Sequence, residues 1–478
     1  MATINTKPPT NLAKTMPFAT QKLESGRTLV TGYFGGWAIL DNGKLQRLKD
    51  GLINDDPPLT KKLTDEGILV TDQNKKAIAK RYAALNSNLF QRPSLHIVNL
   101  TNICNYRCRY CHAGVSGGSQ KMEMSIAKKV AAYILENGED RLNIEFQGGD
   151  AMLNFEALCA LAEEVRSLNR ERYGKQINMC VVSNLSLMDQ SKMDYLIDND
   201  IQICTSLDGP AIVHDENRMT SGGGKTFQTT IDKMEEIRAR MKSKGKTGTI
   251  GALCTISRKS LPHAREIVNL YCGKDLTTIH LRPLNSMGDA LGFWDKLSYT
   301  PEEFNRFWSE ALDCIIELNK QGKKIVERGA YFILCKILAG KDPQYTEMMS
   351  PCGAGRGQIL YNPDGSIYTC DEGRMIREDL FKIGDIKSDG ADAIGSDGAI
   401  NTWASSILDL TCYHCAYRPW CGTCPVANYQ SRRTIVPNIT ENFMHKAYHH
   451  QFTYLFNKID SDPVAVEIFK KWIADGMW

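Results

Sequence analysis

Between Pro93 and Pro283 the chain repeats one pattern six times, and that repeat constrains its fold more than any other feature. Short apolar runs (LHIVNL at 95–100, LNIEFQ at 142–147, INMCVVSN at 177–184, IQICTSL at 201–207, GALCTIS at 251–257 and IHLRPL at 279–284) are separated by amphipathic stretches of helical length. Strands alternating with helices build a parallel sheet, either open and doubly wound or curled into part of a barrel. Two helical segments follow, at about 301–320 and 326–340. Residues 350–430 are rich in Gly, Pro and Cys with little periodicity, and the chain ends in one or two amphipathic helices. Ahead of the repeat, residues 1–20 are polar and are expected to be disordered. Short apolar runs TLVTGYF and WAILDN, a helical pattern and then LTKKLTDEGILVTD suit a compact winged-helix-like module over 21–75. Residues 73–92 read as a helix-prone linker.

Charge excludes several roles. Lys and Arg number 58 against 55 Asp and Glu, a net +3 over 478 residues, which gives no electrostatic case for bulk binding of nucleic acid or membrane. The run Arg238-Ala-Arg-Met-Lys-Ser-Lys-Gly-Lys is simplest as a solvated helix end. No stretch approaches the roughly 18 apolar residues of a membrane span. The first twenty residues lack the apolar segment of a secretion signal. A cytoplasmic protein is expected, in which most of the 16 cysteines stay thiols. Seven of them (Cys159, Cys180, Cys204, Cys254, Cys272, Cys314 and Cys335) are scattered among apolar neighbours and read as small buried hydrophobes. The other nine are grouped.

Cys104-Asn-Tyr-Arg-Cys108-Arg-Tyr-Cys111 directly follows the first strand. Full protein ligation of a [4Fe–4S] cluster takes four cysteines, so three thiolates leave one iron for something else. An open coordination position marks a catalytic metal site rather than a structural one. A zinc knuckle would want a fourth ligand close by, and His112, adjacent in sequence, is poorly placed to close the same site.

With these residues the chain resembles the radical S-adenosylmethionine (SAM) enzymes. The resemblance implies that the open iron chelates the amino and carboxylate groups of SAM, whose reductive cleavage gives a 5′-deoxyadenosyl radical. The family's supporting motifs recur in order, each at a strand end, where a barrel-type fold puts its site. Gln147-Gly148-Gly149-Asp150 resembles the amine-receiving Gly-Gly-Glu element, with Asp in place of Glu. Ser183-Asn184 matches the contact to the SAM ribose or carboxylate. Ser206-Leu-Asp208-Gly-Pro leads to Arg218, the implied carboxylate partner, since a guanidinium matches a carboxylate bidentately. Tyr110 is implied to lie by the adenine.

Cys352, Gly365-Ser-Ile-Tyr-Thr-Cys370 and Cys412-x2-Cys415-x5-Cys421-x2-Cys424 resemble the SPASM extension, which holds auxiliary iron–sulfur clusters. A zinc ribbon is the alternative for Cys412 to Cys424. Two fully ligated auxiliary clusters need eight cysteines at four each, and six are present. Alignment implies Cys352, Cys370 and Cys424 for one cluster and Cys412, Cys415 and Cys421 for the other. Met444, His445 or His449 would be a substitute ligand; otherwise the histidines are exposed helix residues. Asp371 stands where SPASM sulfatase maturases place a proton-removing aspartate; a surface loop carboxylate is the bland reading. Asp371-Glu372-Gly-Arg374-Met, Glu-Phe-Gln-Gly-Gly, Thr-Ser-Leu-Asp-Gly-Pro and Leu-Arg-Pro-Leu (281–284) resemble the His-Xaa-Ser-system maturases.

The resemblance implies a partial (β/α)6 barrel over 93–290, bridging helices over 291–349, a SPASM domain over 350–430 and C-terminal helices over 431–478. It implies a maturase of a ribosomally made precursor peptide, with the leader read by the N-terminal module, the core modified, and an external one-electron reductant. The expected product is a three-residue cyclophane, a carbon–carbon link from an aromatic ring to the Cβ two residues on. In that chemistry the adenosyl radical removes the Cβ hydrogen, an auxiliary cluster takes the surplus electron and Asp371 takes the ring proton. The rivals are a thioether-forming or formylglycine-forming maturase and, outside enzymes, an iron–sulfur scaffold or electron carrier.

Overall fold

The structure, a computed structural model, describes residues 14–53, 55–87, 91–114, 119–376, 378–388, 390–391, 396–407, 412–436 and 438–477. The N-terminal module contains β1 (Lys14–Thr15), β2 (Phe18–Lys22), β3 (Thr28–Gly32), β4 (Trp37–Leu40), α1 (Asn42–Lys49), α2 (Pro57–Asp65) and β5 (Leu69–Val70). β2, β3 and β4 form an antiparallel sheet in that order, while β1 pairs with β5. The expected disorder of residues 1–20 is therefore corrected for 14–20; residues 1–13 lie outside the described set. Phe18-Ala-Thr-Gln-Lys is too polar to read as a strand locally, and β3, whose five residues are all buried, organises it through pairing. The module has its own small core around Val30, Leu40, Leu63 and Ile68. It is also docked onto the main body, where the Trp37 indole N–H donates to the Ile337 carbonyl at 2.8 Å and its ring meets Phe456 edge-on at 5.2 Å. α3 (Lys75–Leu85) follows.

The body is built on β6 (Leu95–Asn99), β7 (Arg141–Gln147), β8 (Gln176–Val182), β9 (Ile201–Ser206), β10 (Gly251–Thr255), β11 (Thr278–Ile279) and β12 (Leu281–Arg282), with α4 (Met124–Asn137), α5 (Phe155–Leu168), α6 (Gln190–Asp198), α7 (Ala211–Asn217), α8 (Phe227–Ser243) and α9 (Ala264–Gly273) between them. Neighbouring strands from β6 to β10, and β10 with β12, are all parallel. Alternate residues face opposite sides of a strand. Leu142, Ile144 and Phe146 of β7 are buried in the hydrophobic core, and Glu145 and Gln147 face the concave interior. The last strand is split. β11 leaves the sheet to pair with β13 (Val326–Glu327), and the buried Glu327 carboxylate accepts from Leu281 N at 3.3 Å and Ala330 N at 2.6 Å. That carboxylate thereby also caps α12 (Arg328–Leu338). α10 (Trp294–Leu297) and α11 (Pro301–Lys320) precede β13.

The cysteine-rich region contributes a strand that its sequence does not announce. β14 (Gln358–Tyr361) lies parallel to β6, register Gln358 to Leu95, and continues antiparallel into β15 (Ser366–Tyr368), β16 (Lys382–Asp385) and β17 (Gly390–Ala391). The partial barrel and the extension thus share one ten-stranded sheet. α13 (Asp397–Ile407), α14 (Pro425–Arg432), α15 (Phe443–Ser461) and α16 (Pro463–Asp475) complete the chain. Among the described residues no helix is long and apolar enough to cross a membrane. The basic run at 238–246 is ion-paired, with Lys244 reaching Asp194 at 2.7 Å and Asp198 at 2.6 Å.

His96 fastens this junction. Its Nδ1 meets the Tyr361 hydroxyl at 2.9 Å and its Nε2 meets the Pro93 carbonyl at 3.1 Å. Burial pushes its pKa from 6.5 down to about 4. The unfolded chain takes up a proton below about pH 6.5 while the folded chain resists until about pH 4, so the stabilisation is present above 6.5 and lost as pH falls through that window. The shift corresponds to about 3 kcal/mol. A His96→Gln protein is expected to lose less stability than the parent between pH 7.5 and 4.5, by on the order of 2 kcal/mol, read from urea midpoints. An identical acid response in both would disprove the assignment.

Candidate functional site

The loop after β6 carries Cys104, Cys108 and Cys111, and backbone contacts hold it. Gly149 N donates to Thr101 O at 2.7 Å and Asp150 N to Ile103 O at 2.9 Å. A Cβ on Gly149 would stand 2.1 Å from Ile103 O, so the paired glycines are what lets the loop rest on the end of β7. On the other side Arg107 N donates to Met219 O and Arg109 N to Asn217 O.

The three cysteines line one cavity of about 300 Å3 at the C-terminal ends of the strands. Tyr106 N donates to Cys104 Sγ at 3.3 Å, and the Asn184 amide lies 3.9 Å from the same sulfur. Burial pushes the Cys104 thiol up to about 11 and the Cys108 thiol to about 12, with the neighbouring thiols adding to it. Thiolates so placed need a cation, which bound iron supplies. Among the described residues no group of three or more His, Cys, Asp or Glu side chains is gathered as around a single ion; a [4Fe–4S] cluster takes its thiolates one per iron. The donor set fits that cluster.

Gln147, Gly148, Gly149, Ser183, Asn184 and Arg218 line the same cavity, as does Tyr110. Arg218 Nη1 donates to the Tyr110 hydroxyl at 2.8 Å, and that hydroxyl donates to Asp208 at 2.7 Å. Asp208 is fully buried and acts behind Tyr110 and Arg218. Asp150 differs from expectation. Its carboxylate is buried and accepts from Asn184 N at 2.8 Å, Met152 N at 3.0 Å and Ser183 Oγ at 3.1 Å. It holds the Ser183-Asn184 turn in place rather than facing the cavity, and Ser183 spends its hydroxyl on it.

Arg218→Ala is expected to weaken SAM binding by the worth of a charge-assisted hydrogen-bonded pair, about 1.5–3 kcal/mol, measured by equilibrium dialysis. It also removes the guanidinium charge that offsets the buried Asp208 carboxylate, which keeps its bonds from Tyr110, Thr255 N and Asn217, so stability should fall by on the order of 1–3 kcal/mol. Adding Asp208→Asn should restore stability without restoring affinity. Full SAM affinity in Arg218→Ala would remove Arg218 from the site.

Asp371 is no surface carboxylate. It lines the cavity, 7% exposed, with Oδ2 2.7 Å from His112 Nε2 and Oδ1 accepting from Arg374 Nε at 2.8 Å. Burial pushes its pKa up, but Arg374 and then His112 outweigh burial and hold it well below the ordinary carboxylate value. Next to it Arg282 donates to Glu372 at 2.8 Å and to Glu347 at 3.1 Å. Sequence reasoning weighed His112 only as a zinc ligand and did not single out Arg282 or Glu347. Their signal is tertiary, because His112 meets Asp371 across 259 positions.

Cys352 and Cys370 share a small apolar cluster with Cys424, directly behind Asp371. Gly373 N donates to Cys370 Sγ at 3.2 Å and Ala427 N to Cys424 Sγ at 3.4 Å, bonds that favour thiolate. Cys415 and Cys421 pack instead on the main core, and Cys415 N donates to Cys412 O at 3.0 Å. His449 lies half-buried against Tyr417, ring centres 5.0 Å apart, and 6.1 Å from His445, so neither is the exposed histidine expected. Met444 lines a separate cavity. Of the scattered cysteines, Cys254, Cys314 and Cys335 are buried as expected. Cys159 and Cys272 are instead half-buried, as are Cys180 and Cys204, which line an interior cavity of mixed polarity beside Glu145.

Residues 98–266 match the model of the radical SAM superfamily. This stretch is a radical SAM domain. The chain is accordingly an enzyme that uses SAM and a [4Fe–4S] cluster. Over 306 residues it is 24% identical to a cysteine-type anaerobic sulfatase-maturating enzyme of Clostridium perfringens, covering 62% of this chain and 77% of that one. Its fold resembles native anSMEcpe with bound AdoMet and Cp18Cys peptide, at TM-score 0.65 and 20% identity over 79% of this chain and 99% of that one. It also resembles Streptococcus suis SuiB bound to precursor peptide SuiA, at TM-score 0.54 and 13% identity over 89% and 98%.

Proposed function

We propose that this radical SAM enzyme modifies a ribosomally made precursor peptide, joining an aromatic ring to the Cβ of a residue two positions on. The observation that carries this reading is the placement of Asp371. It lines the cavity that holds Cys104, Cys108, Cys111 and Arg218, and it adjoins Cys370 of the second thiol group. Similarity to chains captured with peptides supports a peptide substrate.

When bound, the cluster and SAM together supply a 5′-deoxyadenosyl radical. The protein does the rest. Arg218, steadied by Tyr110 and Asp208, binds the SAM carboxylate, and Asn184 orients beside Cys104. Joining ring to Cβ removes two hydrogens: one leaves as a hydrogen atom to the adenosyl carbon, the other as a proton and an electron. Asp371 takes the proton; Cys352, Cys370 and Cys424 would hold an auxiliary cluster, which would supply the electron acceptor. β2, an outer strand of the N-terminal sheet, takes the leader as an added strand.

The test is to incubate reduced enzyme and SAM with a candidate precursor peptide that carries repeated aromatic residues. The product should be two hydrogens lighter per link, with no solvent label incorporated. The similarity to a sulfatase-maturating enzyme favours a second reading, formylglycine formation, which would appear as an aldehyde at a Cys or Ser of a sulfatase peptide and no link.

A further inference from the structure

A second cavity of about 450 Å3 lies beside the first, and Leu284 and Asn285 line both. Its wall is anchored to the cysteine loop. Asp289 N donates to Cys111 O at 2.8 Å, and Gly288, at φ +59°, packs where a Cβ would stand 2.5 Å from the carbonyls of Cys111 and His112. The wall therefore keeps a fixed distance from the reacting centre.

The lining joins two chemistries. Trp294, Tyr299, Phe443, Met287 and Met444 supply aromatic and thioether surface. Tyr299 spends its hydroxyl on Ile256 O at 3.0 Å and Leu284 N at 2.9 Å, so its contribution is apolar. Asn285, Ser286 and Ser431 add groups that both donate and accept, as a peptide bond requires of its partners. The charged lining residues Arg432 and Glu441 pair with each other, so the cavity has no net charge to offer. The turn joining Met287 to Trp294 leaves Leu291 52% and Phe293 42% exposed to solvent. The volume falls in the range of pockets that bury a ligand, about 300–1,000 Å3.

We propose that this second cavity is a specificity subsite that holds an uncharged aromatic side chain of the substrate, next to the residue being modified. Aromatic and methionine walls favour such a side chain over an aliphatic one through ring–ring and sulfur–ring contacts. The proposal rests on the peptide-maturase reading and adds to it which residue type is recognised and where.

The experiment uses holoenzyme with SAM and three probes, N-acetyl-L-phenylalaninamide, N-acetyl-L-lysinamide and N-acetyl-L-glutamine amide, with affinity read by ligand-observed NMR titration. The phenylalanine probe should bind about tenfold more tightly than the other two, a difference of ~1.4 kcal/mol. Trp294→Ala, which removes one wall, and Ser431→Trp, which fills the cavity from an exposed position, should each weaken it about tenfold. Far-UV circular dichroism of both variants keeps the result separate from misfolding. Equal binding of the three probes, or unchanged binding in both folded variants, would overturn the proposal. A precursor peptide that emerges unmodified while the phenylalanine probe still binds would sink the maturase reading alone.

Discussion

Replacing Cys104, Cys108 and Cys111 together with alanine is expected to abolish cleavage of SAM to 5′-deoxyadenosine and methionine while leaving iron in the protein. The two halves of that result have different physical sources. Cleavage is expected to depend on thiolates that line the cavity with Arg218 and Tyr110, and among the described residues nothing else lining it offers a soft ligand for iron. The remaining iron is expected on Cys352, Cys370 and Cys424, which share one apolar cluster, and on Cys412, Cys415 and Cys421, of which the last two pack on the main core. After anaerobic reconstitution the parent should hold clearly more than four irons per chain, and the variant should lose about four, one cluster's worth. Iron and sulfide analysis reads both numbers. A variant stripped of all iron would reassign Cys412 to Cys424 to zinc, and intact SAM after prolonged reduction of the parent would favour a scaffold.

Much of this was legible in the sequence where structure is local. Five of the six strands, β6 to β10, announced themselves as mainly apolar runs of five to seven positions with helices between, while the sixth is split into β11 and β12. The cysteine spacing and the glycine pair follow strand ends, which is where such a fold collects its site, and Arg218 closes the short helix α7 that comes after the fourth strand. Pairing partners far apart in sequence left no such trace. Gln358-Ile-Leu-Tyr361 is four residues long, and only its contact with β6 makes it a strand. β2 is a strand because β3 is beside it. The carboxylates show the same limit. Asp150, Asp208 and Asp371 all follow a strand or a cysteine, yet the first caps a turn, the second steadies a tyrosine and only the third lines the cavity. Sequence fixes which residues stand at a strand end, but tertiary hydrogen bonds decide which of them remain available to a substrate.

Asp371→Asn is expected to leave 5′-deoxyadenosine formation intact while cross-linked product falls by on the order of 10²–10⁴-fold, the usual contribution of a positioned general base. The depressed pKa of this carboxylate bears on the argument from both sides. Held down by Arg374 and His112, it is a weaker base than an ordinary aspartate, which by itself lowers the driving force for proton transfer. The proton in question leaves a ring that regains aromaticity, however, and is acidic enough for a weak base to take. What the site then needs is a carboxylate that is ionised at every working pH and held in place, and the Arg374 ion pair and the His112 hydrogen bond supply both. Asparagine keeps the shape and can still accept from Arg374 Nε, but it has no charge and cannot take the proton. The Arg374 guanidinium loses its counter-charge as well, so the variant's spectrum and iron content should be read beside its product. Mass spectrometry distinguishes the outcomes. Unlinked peptide with normal 5′-deoxyadenosine supports the base role, and an undiminished yield of linked product removes Asp371 from proton transfer. A product of unchanged mass in ordinary water that gains one deuterium at Cα in deuterium oxide would identify an epimerase and end the cross-linking proposal, whichever residue holds the proton.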